Sequence, residues 1–294
     1  MSAQHQMSRH DLSDNAPGMR AIRWNMDWIT RPLFGIGLAL VAIWVLFRDP
    51  VYFAALVSLI GIPASFEWHR MVARGKPHRL EASVTALTIA ASVLALALGA
   101  SVLIALALIA LGVAISVGVA FRRADQPLWQ GMGVIYLAVP SLALVGLRAL
   151  VPHNAAWIVI GLFIIVWATD TGALVCGNLI GGPRLAPRLS PGKTWAGTIG
   201  GSVIAGLVFA GFVALLGGAA PAAGLFGFVF SFTAHGGDLF ESFVKRRYGL
   251  KNSGAAIPGH GGVLDRMDST LAAAVAMALL IFLVHFNPLI GVHA

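Results

Sequence analysis

The chain has 294 residues, 58% hydrophobic and 11% charged, with a mean hydropathy of +0.83 and a formal net charge of +8. A soluble domain carries about 25% charged residues, so the composition excludes an ordinary soluble globule and describes a polytopic membrane protein. In that setting the basic excess points to membrane topology and not to nucleic acid, and the single cysteine, Cys176, excludes an internal disulfide framework.

Residues 1–31 are polar and lack the apolar core of a signal peptide. They read as a cytoplasmic tail whose Trp24 and Trp28 suit the headgroup level. A helix needs roughly 20 apolar residues to cross a bilayer. Apolar stretches follow at Pro32–Phe47, Val51–Phe66, Gly131–Leu147, Ala155–Gly177, Thr198–Leu216, Pro221–Ala234 and Thr270–Phe286. The uncharged stretch Ser83–Ala120 holds two more, turning near Gly99–Ser101. The expectation is an all-α fold of about nine transmembrane helices by that length criterion. Pro221–Ala234 is short and runs into polar, Gly-rich residues, a pattern that often lines a site.

Placed on alternating sides, eighteen of the twenty lysines and arginines fall on one side, the exceptions being Arg48 and Arg148. That asymmetry predicts a cytoplasmic N-terminus and an outward C-terminus. The chain divides into the tail 1–31, N-terminal helices over 32–154, and a catalytic region 155–294. The last carries two cytoplasmic motif loops, 169–197 and 231–269.

Those two segments hold the unusual residues. Asp265 and Asp268 are three apart, and Glu241 and Ser242 stand three and four after Asp238, so each set shares a helix face. Clustered carboxylates at the membrane edge suit a hard cation such as magnesium, which is usually held by one or two carboxylates plus substrate phosphates. Helix capping is the plainer role for Asp268. Gly261 and Gly262 beside His260, and the Gly pair in His235-Gly236-Gly237-Asp238, have the makings of anion-binding nests or tight packing. Lys193, in Ser190-Pro191-Gly192-Lys193-Thr194, and Lys245, Arg246 and Arg247 supply charge for phosphate; the P-loop spacing is absent. Asp170 interrupts an apolar segment, where an ionisable group reads as functional. Together these residues describe a phosphoryl or nucleotidyl transfer site at the cytoplasmic surface, with a lipid as the acceptor.

The stretches "GDLFES" (Gly237–Ser242), "KR" (Lys245-Arg246) and "PGHGGVLDRMDS" (Pro258–Ser269), with "TDTGA" and "LAPRLSPGKTWAG" upstream, resemble the phosphatidate cytidylyltransferases. The resemblance implies that CTP and phosphatidate give CDP-diacylglycerol and pyrophosphate at the inner membrane of a bacterium. It implies metal ligation by Asp238, Asp265 and Asp268 with Ser242 nearby, leaving room for a second cation and for a homodimer. Lys193, Lys245 and Arg246 would hold the triphosphate, His260, Gly261 and Gly262 a phosphate, and Asp170, Ser190 and Arg266 would complete the substrate site. The chain departs from the family pattern at Asn252, where an aspartate is usual, and at Gly192, Ala196 and Ala255. Three other readings stay open: a CTP-dependent lipid kinase of the polyprenol type, a divergent cytidylyltransferase for another lipid phosphate, and a transporter whose loops bind a cation.

Overall fold

The computed structural model describes residues 37, 40–73, 79–123, 125–254 and 261–289. The chain forms two compact units, 1–45 and 46–294; in the first, the described residues 37 and 40–45 are helical. The polar tail 1–31 and residues 32–36, 38 and 39 therefore lie outside the described residues.

Among the described residues the second unit holds eight helices and one small hairpin. The helices are α1 (Pro50–Val72), α2 (Arg79–Ala97), α3 (Val102–Arg122), α4 (Pro127–Ala149), α5 (Ala155–Ile180), α6 (Trp195–Leu215), α7 (Ala220–Arg247) and α8 (Leu264–Phe282). Between α5 and α6, β1 (Arg184–Ala186) pairs antiparallel with β2 (Ser190–Thr194), with Arg184 opposite Thr194. The fold is thus nearly all-α. Helices α1 to α6 are each long and apolar enough to cross a membrane. Their outward faces carry large apolar side chains, among them Leu87, Leu103, Leu207 and Leu215. In water such a surface would aggregate; against lipid it is the expected exterior.

Local chemistry explains the ends. Pro50 opens α1 at a position where its missing N–H costs nothing, and Asp49 caps it by accepting from Val51 N at 2.9 Å. The stretch Ser83–Ala120 does divide at Gly99–Ser101: Gly99 sits at φ +94° and Ser101 caps α3. Thr194 ends β2 and caps α6 through Gly197 N at 3.0 Å.

Three helices run past their apolar stretches. Helix α1 continues from Phe66 to Val72, α7 from Ala234 to Arg247, and α8 begins at Leu264, before Thr270. This corrects the reading of 169–197 and 231–269 as loops. Residues 169–180 are the end of α5, 184–194 form the hairpin, and 231–247 belong to α7. Apolar length marks what crosses the lipid, but a helix has no reason to stop there, since each further turn satisfies its own backbone hydrogen bonds.

Packing in the C-terminal half relies on small residues. Helix α5 packs on α6 and α6 on α7. A Cβ on Gly201 would stand 2.6 Å from the Thr169 carbonyl oxygen, and one on Gly206 would stand 2.7 Å from that of Gly224. Among lipid tails, which are as apolar as leucine, close backbone approach of this kind is what drives association.

Candidate active site

The continuation of α7 places Asp238, Glu241, Ser242 and Lys245 on one helix face, as their spacing of three, four and seven requires. The start of α8 is pressed against it. Gly237 makes the approach possible, because a Cβ there would lie 2.5 Å from the Asp268 carbonyl oxygen. The hairpin closes the group from the side. Lys193 Nζ stands 2.6 Å from Asp238 Oδ2, and Lys245 Nζ stands 2.8 Å from Asp265 Oδ1 and 3.4 Å from Glu241 Oε2. Ser242 Oγ donates to Asp238 Oδ1 at 3.3 Å. Two segments far apart in sequence thus meet at one place.

The electrostatics are those of an acid-rich pocket. Asp238, Glu241, Asp265 and Asp268 share two lysines, and Asp170 on α5 feels both Asp238 and Asp268. Glu241 is fully buried, and neither of its oxygens receives a hydrogen bond. Burial pushes its carboxyl up to about 10, with Asp268 acting in the same direction. Burial, with the charge of Asp238 beside it, also raises Asp268. Asp265 goes the other way. Burial works against its charge, but Lys245 and the N–H groups of Gly262 and Ser253 outweigh it and hold the carboxyl below its usual range. All four acids lie beyond the apolar stretches 221–234 and 270–286.

The donor set fits a hard divalent cation in kind. It offers only oxygen, and its acids outnumber its bases, with the fully buried Glu241 sharing Lys245 with Asp265. Among the described residues no three carboxylate, imidazole or thiolate groups already converge as a coordination shell; Lys193 and Lys245 hold Asp238 and Asp265 instead.

The other expected residues divide. Ser190 lies in β2, and Asp170 is exposed near the hairpin end of α5. Arg246 ties elements together, Nε donating to the Leu189 carbonyl at 3.1 Å and Nη1 to that of Leu250 at 3.2 Å. Arg266 is exposed at the start of α8. His260 lies outside the described residues. The glycines serve packing more than nests. Gly236 and Gly237 are inside α7, where their N–H groups belong to the helix ladder. Gly261, at φ +84°, makes a turn only glycine adopts easily, and Gly262 N donates to Asp265 Oδ2 at 3.1 Å.

Sequence reasoning counted Glu241 among the clustered carboxylates but gave it no role of its own, although burial pushes its carboxyl up to about 10; it missed one residue altogether. Glu67 belongs to the half of the chain that offered only hydrophobicity, yet its carboxylate reaches Ser253, Val263 and Leu264. The signal was available: an acid at the end of an apolar stretch deserves the reading given to Asp170.

Comparison with known proteins agrees with this arrangement. A model of the cytidylyltransferase family matches residues 29–284. A phosphatidate cytidylyltransferase of Brucella suis biovar 1 is 36% identical over 254 residues, covering 85% of this chain and 92% of the relative. One from Rickettsia bellii is 38% identical over 156 residues, covering 49% and 64%. One from Haemophilus influenzae is 41% identical over 141 residues, covering 45% and 48%. A family match across nearly the whole described structure, with its acids and lysines gathered at one end of the helices, has one meaning: the chain belongs to the cytidylyltransferase family.

Proposed function

We propose that the chain transfers a cytidylyl group from CTP to phosphatidate, giving CDP-diacylglycerol and pyrophosphate in phospholipid biosynthesis. It is a nucleotidyltransferase, as its relatives are by name. The observation that carries the reading is the meeting of the two motif segments, where Lys193 of the first bonds Asp238 of the second beside Glu241, Asp265 and Asp268. Acids for a cation and lysines for phosphate at the edge of an apolar bundle suit a nucleotide from water and an acceptor from the membrane.

An oxygen of the phosphatidate phosphate attacks the α-phosphorus of CTP, and the bond to the departing pyrophosphate breaks. Lys193 and Lys245 carry the counter-charge. Each is paired with an aspartate in the free protein, and each can turn a donor to a phosphate oxygen when substrate arrives. Asp238, Asp265 and Asp268, with Ser242, would hold magnesium. When bound, the metal neutralises the phosphates and the charge developing between them. Ser190, Arg246, Arg266 and the turn at Gly261 and Gly262 would border the substrate, with His260 assigned to it by the family resemblance alone.

The same reading gives nine spans with the N-terminus and the site on the cytoplasmic side. It is supported by where the two exceptional arginines stand. Arg148 donates from Nε to the Leu46 carbonyl at 2.7 Å and from Nη2 to that of Arg48 at 2.5 Å, so the pair sits together at one end. Arg70, Arg79 and Arg122 lie at the opposite ends of α1, α2 and α3, and Lys193 stands in β2 just before α6. A reporter fused after Ala294 is expected outside the cytoplasm; a cytoplasmic signal removes one span from the count. For the reaction, purified protein is given labelled CTP and phosphatidate with magnesium. Labelled CDP-lipid is expected. Release of CDP with a phosphorylated lipid would make the chain a kinase, and neither product would reject transfer to phosphatidate.

A further inference from the structure

The end of α1 reads Phe66-Glu67-Trp68-His69-Arg70, and three consecutive side chains leave it, two toward α2 and α4 and one toward α8. Trp68 Nε1 donates to the Trp129 carbonyl at the start of α4, at 3.1 Å. His69 meets Gln130, and Thr85 at 2.7 Å. Glu67 turns to the far part of the chain. Its carboxylate accepts from Val263 N at 3.1 Å, Leu264 N at 2.9 Å and the Ser253 hydroxyl at 3.3 Å. Glu67 is only 6% exposed. Helix α8 begins at Leu264, and the residue at its N-cap, Val263, offers no side-chain acceptor. Glu67 therefore supplies from another helix the cap that α8 lacks.

The segment before α8 is shaped to receive it. A Cβ on Gly254 would stand 2.5 Å from Glu67 Oε1, and one on Gly262 would stand 2.6 Å from Oε2. Neither glycine has a positive φ, so room for the carboxylate is what these positions require. From there the contacts lead into the site. Ser253, held through its hydroxyl, turns its N–H to both oxygens of Asp265, at 3.2 and 3.1 Å, and Asp265 holds Lys245.

We infer that Glu67 is a positioning residue for cytidylyl transfer. It reaches no reacting group, and by clamping Ser253, Val263 and Leu264 it sets where Asp265 and Lys245 stand. The inference rests on the site assignment above and carries it into the N-terminal helices.

The test is Glu67→Gln in the full chain. The amide keeps the size but turns an NH2 against one of the two N–H donors. The expected result is a fall in kcat of about ten- to a hundredfold, the usual cost of losing a supporting contact behind a reactive group. Amide exchange should quicken at Ser253, Val263 and Leu264 while the other helices keep their protection. Trp68→Phe is the control, since it cuts the hydrogen bond to the Trp129 carbonyl one residue away while keeping an aromatic ring against Tyr136. It should lower the unfolding midpoint with kcat kept. Gly254→Ala pushes a methyl into the clamp while leaving Glu67 in place, and should repeat the loss of kcat. It also decides the question should Glu67→Gln fail to fold. Wild-type kcat in either clamp variant overturns the inference, as does a loss that merely follows the unfolding midpoint as in Trp68→Phe. Asp238→Asn separates this inference from the site reading. If it stays active, the site is wrong; if it is inactive while Glu67→Gln turns over normally, only the clamp is wrong.

Discussion

Two polar clusters lie within this apolar protein, and they are built on opposite principles. Among α1 to α4, Arg123 Nη1 meets Glu81 at 3.1 Å, and His69 is held between Gln130 and Thr85. A base answers an acid and a hydroxyl answers an imidazole, and the atom left without a hydrogen bond there, Gln130 Nε2, belongs to a neutral amide. Between α7, α8 and the hairpin, four acids share two lysines, and the fully buried Glu241 has Lys245 Nζ at 3.4 Å, a cation it shares with Asp265. A matched cluster holds helices together. An unmatched one costs stability, because each uncompensated charge has lost its water. It persists where a ligand is expected to complete it. The comparison teaches that burial alone does not mark a functional acid: Glu81 and Glu241 are both buried, and only the second lies in a surplus of its own charge.

The largest expected effect belongs to the surplus. Asp238→Asn should lower turnover by about a hundredfold or more, since a lost metal carboxylate removes several kcal/mol of transition-state stabilisation. Its unfolding midpoint should change little, because its contacts are one lysine and one hydroxyl. Turnover near wild type at saturating magnesium would break the distinction between the clusters. Asp265→Asn should lose both activity and stability, since that carboxylate also anchors Ser253 and Gly262.

Next comes the lysine on the hairpin. Lys193→Met should cost about ten- to a hundredfold in kcat/KM, the range for a group supporting a charged site. The rise should appear in KM for CTP if the ammonium binds triphosphate. A KM unchanged with kcat reduced would assign Lys193 to holding Asp238 alone.

The matched cluster should respond in the opposite sense. Thr85→Val removes the hydroxyl facing His69 Nε2 and leaves a buried group unsatisfied, a cost of about 1–3 kcal/mol in stability. Its kcat per folded molecule should stay at the wild-type value. A selective loss of kcat would move this cluster to the functional side.

The smallest effect is expected at Asn252, which is exposed and precedes the residue whose N–H meets Asp265. Asn252→Asp should shift the magnesium dependence of CDP-lipid formation to lower concentration by a few-fold at most, because a charged oxygen binds a hard ion better than an amide oxygen. Superimposable curves would make the position a turn, where the two residues serve equally.

Much of this was legible in the residues. The six apolar helices, the turn at Gly99–Ser101 and the acids of the site could be read from stretches of the right length and from charged residues too costly to be incidental. The extent of α7 was not legible, because hydrophobicity ends at Ala234 while the helix does not. Nor was the work of Gly237 and Gly262. A glycine permits either an unusual backbone or a close neighbour, and only the neighbour, the Asp268 carbonyl in one case and the Glu67 carboxylate in the other, decides which.

The residues alone placed this protein in a membrane and gathered its carboxylates and lysines into two polar segments. Lipid admits only backbones that satisfy their own hydrogen bonds, and that demand is written in the length of apolar stretches. Which helices touch, which lysine answers which aspartate, and how Glu67 comes to cap a helix 197 residues away were decided only in three dimensions. A helix that is apolar on every side has no stripe to name its neighbour. Its partners are chosen by small residues and single polar contacts, whose meaning depends on what stands opposite.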